Sequence, residues 1–223
     1  MASHQLKPQL GAAIGMADLI NEELPKKNKD IQEYYETLQE SLQRTTTIVT
    51  NMLNSQVLNA DGDISLNIKP ANINRLIRSE IKNAQHSASE KNITINYTNT
   101  LKRNINIDSA KIQEVLTNLI SNAITYSDKD SVVNINATQT TKRTSIEIAD
   151  TGIGIPKKDI TKITKQFYRS ENAKKTRPTG TGIGMFLADR FIRAHNGELT
   201  ITSKLHKGTS ICITLPNNLG LTQ

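Results

Sequence analysis

At 223 residues the chain has room for one large or two small domains, and with 36% hydrophobic residues but no Trp its core must be packed with aliphatic side chains. Eleven Gly and six Pro exclude a collagenous or low-complexity chain, no run of 18 apolar residues offers a membrane span, and a single cysteine, Cys212, excludes an internal disulfide or a cysteine-rich zinc site. The net charge of +7 is unevenly spread: eight Lys or Arg lie in residues 157–177 against Asp159 and Glu171. Such a segment points to a local anionic ligand, whereas nucleic acid calls for an extended basic face with interleaved aromatics. A reducing, cytoplasmic setting is the default expectation.

Residues 4–24 carry Leu6, Leu10, Ile14, Ala17, Ile20 and Leu24 at helical spacing, which predicts an amphipathic helix broken at Pro25. A second helix is predicted over residues 30–58, with Ile31, Leu38, Leu42, Val49 and Leu53 along one side. Residues 1–60 therefore read as an antiparallel helical hairpin. Alone it cannot bury both apolar stripes, so a four-helix bundle formed with a second copy, a homodimer, is expected.

Residues 59–63 break the pattern and mark the start of a second domain, residues 61–223. Asn72 is a helix N-cap for residues to about 89, and residues 93–97 and 105–107 alternate as half-buried strands do. Asp108 caps an apolar helix over residues 110–126; strands follow at 132–138 and 144–149, a helix at 183–194, and strands at 198–203 and 209–215. The fold class expected is α+β, a two-layer sandwich with helices on one face of a mixed, mostly antiparallel sheet.

Two glycine motifs flank the basic segment. Asp150-Thr-Gly152-Ile-Gly154-Ile-Pro156 follows a strand, and Gly180-Thr181-Gly182-Ile-Gly184-Met185 precedes a helix, where backbone N–H groups can meet phosphate oxygens. Neither is a P-loop or a dinucleotide fingerprint. Upstream, Asn118 and Asn122 lie one turn apart on a single helix face, and buried amides so placed need a polar partner such as hydrated Mg²⁺ with phosphate oxygens.

These motifs, with Phe167-Tyr168-Arg169, His195-Asn-Gly197 and Lys207-Gly208-Thr209, resemble the ATP-binding domain of sensor histidine kinases, the Bergerat fold shared with gyrase and mismatch-repair ATPases. The resemblance runs from Asp108 to Pro216. It implies that Asn122 holds Mg²⁺ with Asn118 in support, that Asp150 accepts the adenine amino group, and that Tyr126 packs along the nucleotide. Arg169, the second glycine box and the lid lysines, Lys174 and Lys175 among them, would meet the phosphates. Thr125 stands where the family often has a phosphate-contacting Lys. Gyrase-like hydrolases carry a water-activating Glu where this chain has Asn118, which cannot act as a base, so simple hydrolysis is disfavoured.

Ser3-His4-Gln5-Leu6-Lys7-Pro8-Gln9-Leu10 resembles the family's H box, usually Ser-His-Glu-Leu-Arg-Thr-Pro-Leu, which implies that His4 is the phosphoacceptor. Gln5 replaces the carboxylate that takes the proton during transfer, and Pro8 occupies the usual Thr or Asn position, where it removes a helical hydrogen bond. The function implied is ATP-dependent autophosphorylation on His4 and transfer to an Asp of a response-regulator receiver domain. The alternative is a pseudokinase scaffold that binds nucleotide and regulator; a non-kinase ATPase clamp is opposed by Asn118 and the hairpin. Since the family's first helix begins well upstream of its histidine, a sensor or membrane segment is expected only in a missing upstream region.

Overall fold

The computed structural model describes residues 64–177 and 180–218, together with Tyr35, Thr37, Leu38, Leu42 and Thr45. Contacts divide the chain into two compact units, one of residues 1–62 and 179–181, the other of residues 63–178 and 182–223. The five described residues between positions 1 and 62 are all helical, and Leu38 among them is exposed. The expected hairpin otherwise lies outside the described residues, as do the bend at Pro8, His4 and Gln5.

The second unit runs β1 (Lys69–Ala71), α1 (Ile73–Glu90), β2 (Thr94–Asn99), β3 (Ile105–Ile107), α2 (Ser109–Tyr126), β4 (Val132–Gln139), β5 (Arg143–Asp150), α3 (Glu171–Thr176), α4 (Gly184–Ala194), β6 (Glu198–Lys204) and β7 (Gly208–Pro216). Five strands form a sheet in the order β2-β4-β5-β7-β6, parallel between β2 and β4 and antiparallel elsewhere. β1 and β3 form a separate antiparallel pair. This is the α+β arrangement expected. Two elements were not anticipated: β1 has only three residues and contains Pro70, and α3 is a six-residue helix inside the basic segment.

The two expected N-caps are present. Asn72 Oδ1 accepts from the Arg75 N–H at 3.0 Å. Asp108 Oδ1 accepts from Ala110 and Lys111, and its Oδ2 from Asn67. Burial works to raise the Asp108 pKa, but those three N–H groups and the nearby His195 outweigh it, and the net direction is down.

The core lies between the inner face of the sheet and α1, α2 and α4. Register places Ile135 opposite Ile148 and Ile146 opposite Ile213, all fully buried. Ile112, Leu116, Leu119 and Ile120 of α2 and Leu187, Phe191 and Ile192 of α4 complete it. Each such aliphatic burial contributes about 1.5–3 kcal/mol. α2 and α4 are also tied by polar atoms: the Asp108 N–H donates to His195 Nε2 at 3.0 Å, and His195 Nδ1 lies 2.7 Å from the Phe191 carbonyl. Only the neutral ring protonated at Nδ1 satisfies both, so His195 is structural.

Candidate functional site

The end of β5 and the end of α2 meet at the first glycine loop. A methyl group on Gly152 would lie 2.0 Å from the Tyr126 carbonyl oxygen, so no side chain fits there, and the Ile153 N–H donates to that same carbonyl at 3.0 Å. Asp150, the last residue of β5, is half-buried. Its Oδ1 accepts from the Gly152 N–H at 2.9 Å and the Thr209 N–H at 3.2 Å, which leaves Oδ2 without a hydrogen bond among the described residues. Burial pushes the Asp150 carboxyl above its ordinary range, against the pull of those two N–H groups. The result is a fixed acceptor suited to an amino group. Beside it, Ser127 is buried with its Oγ unpartnered, a cost of about 1–3 kcal/mol unless a bound group or water satisfies it.

Asn118 and Asn122 are half-buried on α2, less deeply than a buried pair would be, and neither side-chain amide is hydrogen-bonded among the described residues. Gly184, the first residue of α4, faces Asn118 so closely that a methyl group there would lie 3.0 Å from its Oδ1. No side chain caps the N-terminus of α4, so its first N–H groups are left for another acceptor. The fold thus brings together Asn118, Gly184 and, one residue on, the half-buried Met185, residues 66 positions apart in sequence. Gly182 takes a left-handed φ of 73°, and Gly180 and Thr181 group with the first unit.

The basic segment makes mostly local contacts. Lys174 pairs with Glu171 at 2.7 Å, while Lys157, Lys158, Lys165 and Lys175 are exposed. Arg169 Nη2 donates to the carbonyls of Ala173 and Arg177, so its guanidinium clasps α3. Tyr168 donates to the buried Asp159 at 2.7 Å, which pushes its own hydroxyl pKa up. A cavity of about 540 Å³ lies along this segment, lined by Lys158, Lys162, Phe167, Tyr168, Leu205 and His206 among others, and is separate from Asp150 and the two amides.

Residues 107–219 match the family described as histidine kinase-, DNA gyrase B- and HSP90-like ATPase. The chain belongs to that family. Within it the chain stands with the two-component sensor histidine kinases. Over 114 residues, 50% of this chain and 19% of the relative, it is 40% identical to sensor histidine kinase WalK of Bacillus subtilis. Full-length ShkA in complex with AMPPNP superposes with a TM-score of 0.74 at 24% identity, over 96% of this chain and 44% of that one. Histidine kinase ThkA in complex with the response regulator TrrA gives 0.70 at 18% identity, over 98% and 61%. These likenesses establish the fold. The chain spans less than half the length of the first curated relatives it matches.

In this kinase family setting, the residues present fit a magnesium nucleotide: two unpartnered amide oxygens, an uncapped helix start, an orphaned buried hydroxyl and a fixed carboxylate. Two contributors carried no assigned role in the sequence, Ser127 and the backbone N–H of Thr209. The Lys207-Gly208-Thr209 motif signalled the second; nothing in the sequence signalled the first. Among the described residues no helix is long and apolar enough to cross a membrane, and no cluster of three His, Cys, Asp or Glu could hold a metal by itself.

Proposed function

We propose that the chain is the catalytic core of a sensor histidine kinase that binds Mg-ATP and phosphorylates His4, then passes the phosphoryl group to an Asp of a response-regulator receiver domain. The observation that carries this reading is the pair of unpartnered amides one turn apart on α2, Asn118 and Asn122, with Asn118 against Gly184 at the uncapped start of α4. With Asn at position 118 no side chain there can take a proton from water, which favours transfer over hydrolysis. Asp150 would accept the adenine amino group at Oδ2, and Tyr126 would lie along the nucleotide. Asn122 would hold Mg²⁺, which when bound supplies positive charge against the phosphates. Arg169, Lys174 and Lys175 would stand on the phosphate side with Gly180, Thr181, Gly182, Gly184 and Met185.

In the transfer, a lone-pair nitrogen of the His4 imidazole attacks the γ-phosphorus. An N–P bond forms, the bond from phosphorus to the β,γ-bridging oxygen breaks, and ADP leaves. Gln5 can orient the ring but cannot accept its proton, which passes to water. A carboxylate oxygen of the receiver Asp then displaces the imidazole nitrogen from phosphorus. The AMPPNP bound to ShkA and the regulator bound to ThkA support the nucleotide and the partner. The apolar stripes read along residues 1–60 support a homodimer formed through that segment. A cytoplasmic location follows from the chemistry proposed, because ATP and receiver domains are encountered there.

The test is incubation with γ-labelled ATP and Mg²⁺, comparing the wild type with His4→Ala. Acid-labile label on the wild type, absent from His4→Ala, is the expected result. Restoring a carboxylate with Gln5→Glu is expected to raise the rate about tenfold or more. Nucleotide binding without any label would instead support the pseudokinase scaffold, for which Gln5, Pro8 and Thr125 speak.

A further inference from the structure

A lysine from a different element holds the C-terminal end of α2. Lys91 closes α1 as its C-cap, and its ammonium donates to the carbonyls of Ile124 at 3.1 Å, Thr125 at 2.7 Å and Ser127 at 3.1 Å. A helix leaves its last carbonyls without internal donors and gathers partial negative charge there, so a cation is favoured. Three bonds use all three ammonium hydrogens, which leaves none for a phosphate. The backbone of Lys91 is anchored in turn: its carbonyl accepts from the Asp130 N–H at 2.9 Å, and Asn92 Nδ2 donates to Asp130 Oδ1 at 3.1 Å.

The carbonyl Lys91 omits is that of Tyr126, and this one receives the Ile153 N–H from the first glycine loop. The peptide linking Tyr126 to Ser127 is therefore flanked by two carbonyls that Lys91 holds, those of Thr125 and Ser127, while its own oxygen receives the Ile153 N–H with no room for a side chain at Gly152. Burial draws the Lys91 pKa down while Asp128 works to raise it.

We propose that Lys91 is a positioning residue of the nucleotide site: it fixes the end of α2 so that Tyr126, and through its carbonyl the loop bearing Asp150, Gly152 and Gly154, keep the spacing a nucleotide needs. This rests on the nucleotide reading given above. A lysine that only stabilised the fold would change melting and nothing else.

The test uses the full chain as wild type, Lys91→Met and Lys91→Arg, well below their melting temperatures. Mg-ADP affinity is read by calorimetry, and hydrogen exchange of the Ile153 amide is read without nucleotide. The expected result for Lys91→Met is affinity weaker by about tenfold and faster exchange at Ile153, with the β7 amides unchanged; Lys91→Arg restores most of both. Affinity within about twofold of wild type, or weakened binding with Ile153 exchange unchanged, overturns the proposal. Should Lys91→Met fail to fold, Lys91→Gln, which keeps a donor but loses the charge, is read by the same criteria. A wild type that binds no ADP, with Ile153 still responding to Lys91→Met, would fail the nucleotide reading and overturn the link to it while leaving the mechanical coupling measured.

Discussion

The first glycine loop and the basic segment that follows it are adjacent in sequence and built on different principles. Around Asp150 the contacts are long-range and mainly backbone: Thr209 reaches it from 59 residues away, Ile153 bonds to Tyr126, and the His206 N–H donates to the Ile153 carbonyl. In residues 157–177 most bonds close over short spans, Lys174 to Glu171, Tyr168 to Asp159, Arg169 to Ala173, the longest among the described residues being Asn172 Nδ2 to the Gly154 carbonyl at 2.7 Å, and all six lysines are exposed. The part proposed for the base is thus completed by the fold, whereas the basic segment proposed for the phosphates draws less on it. Specific recognition of a flat heterocycle needs atoms fixed in advance; a polyphosphate needs mostly positive charge within reach.

Substitutions can break this comparison at its stronger side first. Gly152→Ala places a methyl group against the Tyr126 carbonyl; it is expected to abolish Mg-ADP binding and to destabilise the unit by about 1–3 kcal/mol in thermal or urea unfolding. Asp150→Asn keeps an Oδ1 acceptor for Gly152 and Thr209 but turns the free edge into a donor. The expected loss is about a hundredfold in ADP affinity with little change in melting. Undiminished affinity would remove Asp150 from the site.

The weaker side is sharpened by charge removal. Replacing Lys157, Lys158, Lys165 and Lys175 with Gln is expected to lower ATP affinity about threefold to tenfold, leave adenosine affinity unchanged, and flatten the salt dependence of ATP binding. An equal loss for adenosine would mean that the segment shapes the base pocket after all. The smallest effect expected concerns pH. Burial, partly offset by the Phe191 carbonyl and Asp108, lowers the His195 pKa below its ordinary 6.5. The unfolded chain therefore binds a proton that the folded one does not, so this contribution to stability is whole above pH 6.5 and is lost as pH falls through that window. Melting temperature should drop by a few degrees between pH 7.5 and 5.5, and by less in His195→Gln; an equal drop in both would place the acid sensitivity elsewhere.

Much of the second unit is readable from local chemistry. Asn72 and Asp108 each satisfy N–H groups within three residues of themselves, so their capping needs no tertiary knowledge. Strand ends came within about two residues because alternation of buried and exposed positions is a property of the strand itself. α3 escaped because six residues with five polar or charged side chains and no buried face carry no helical signature. β1 escaped because its three residues are a strand only through pairing with β3. The motif residues could be grouped by their order along the chain, but the unpartnered state of Asn118 and Asn122 and the orphaned Ser127 hydroxyl depend on what the rest of the fold leaves uncovered.

What the amino-acid sequence determined alone is the set of elements, their apolar faces and the glycines where backbones can approach, because each follows from side chains a few residues apart. Tertiary structure decided the parallel pairing of β2 with β4, the His195 link between α2 and α4 across 87 residues, and the grip of Lys91 on α2 from more than 30 residues away. Those depend on three-dimensional proximity. A lysine at a helix end looks like solvated surface until packing sets carbonyls around it, and the partners of a buried histidine are unknown until the fold brings them to it.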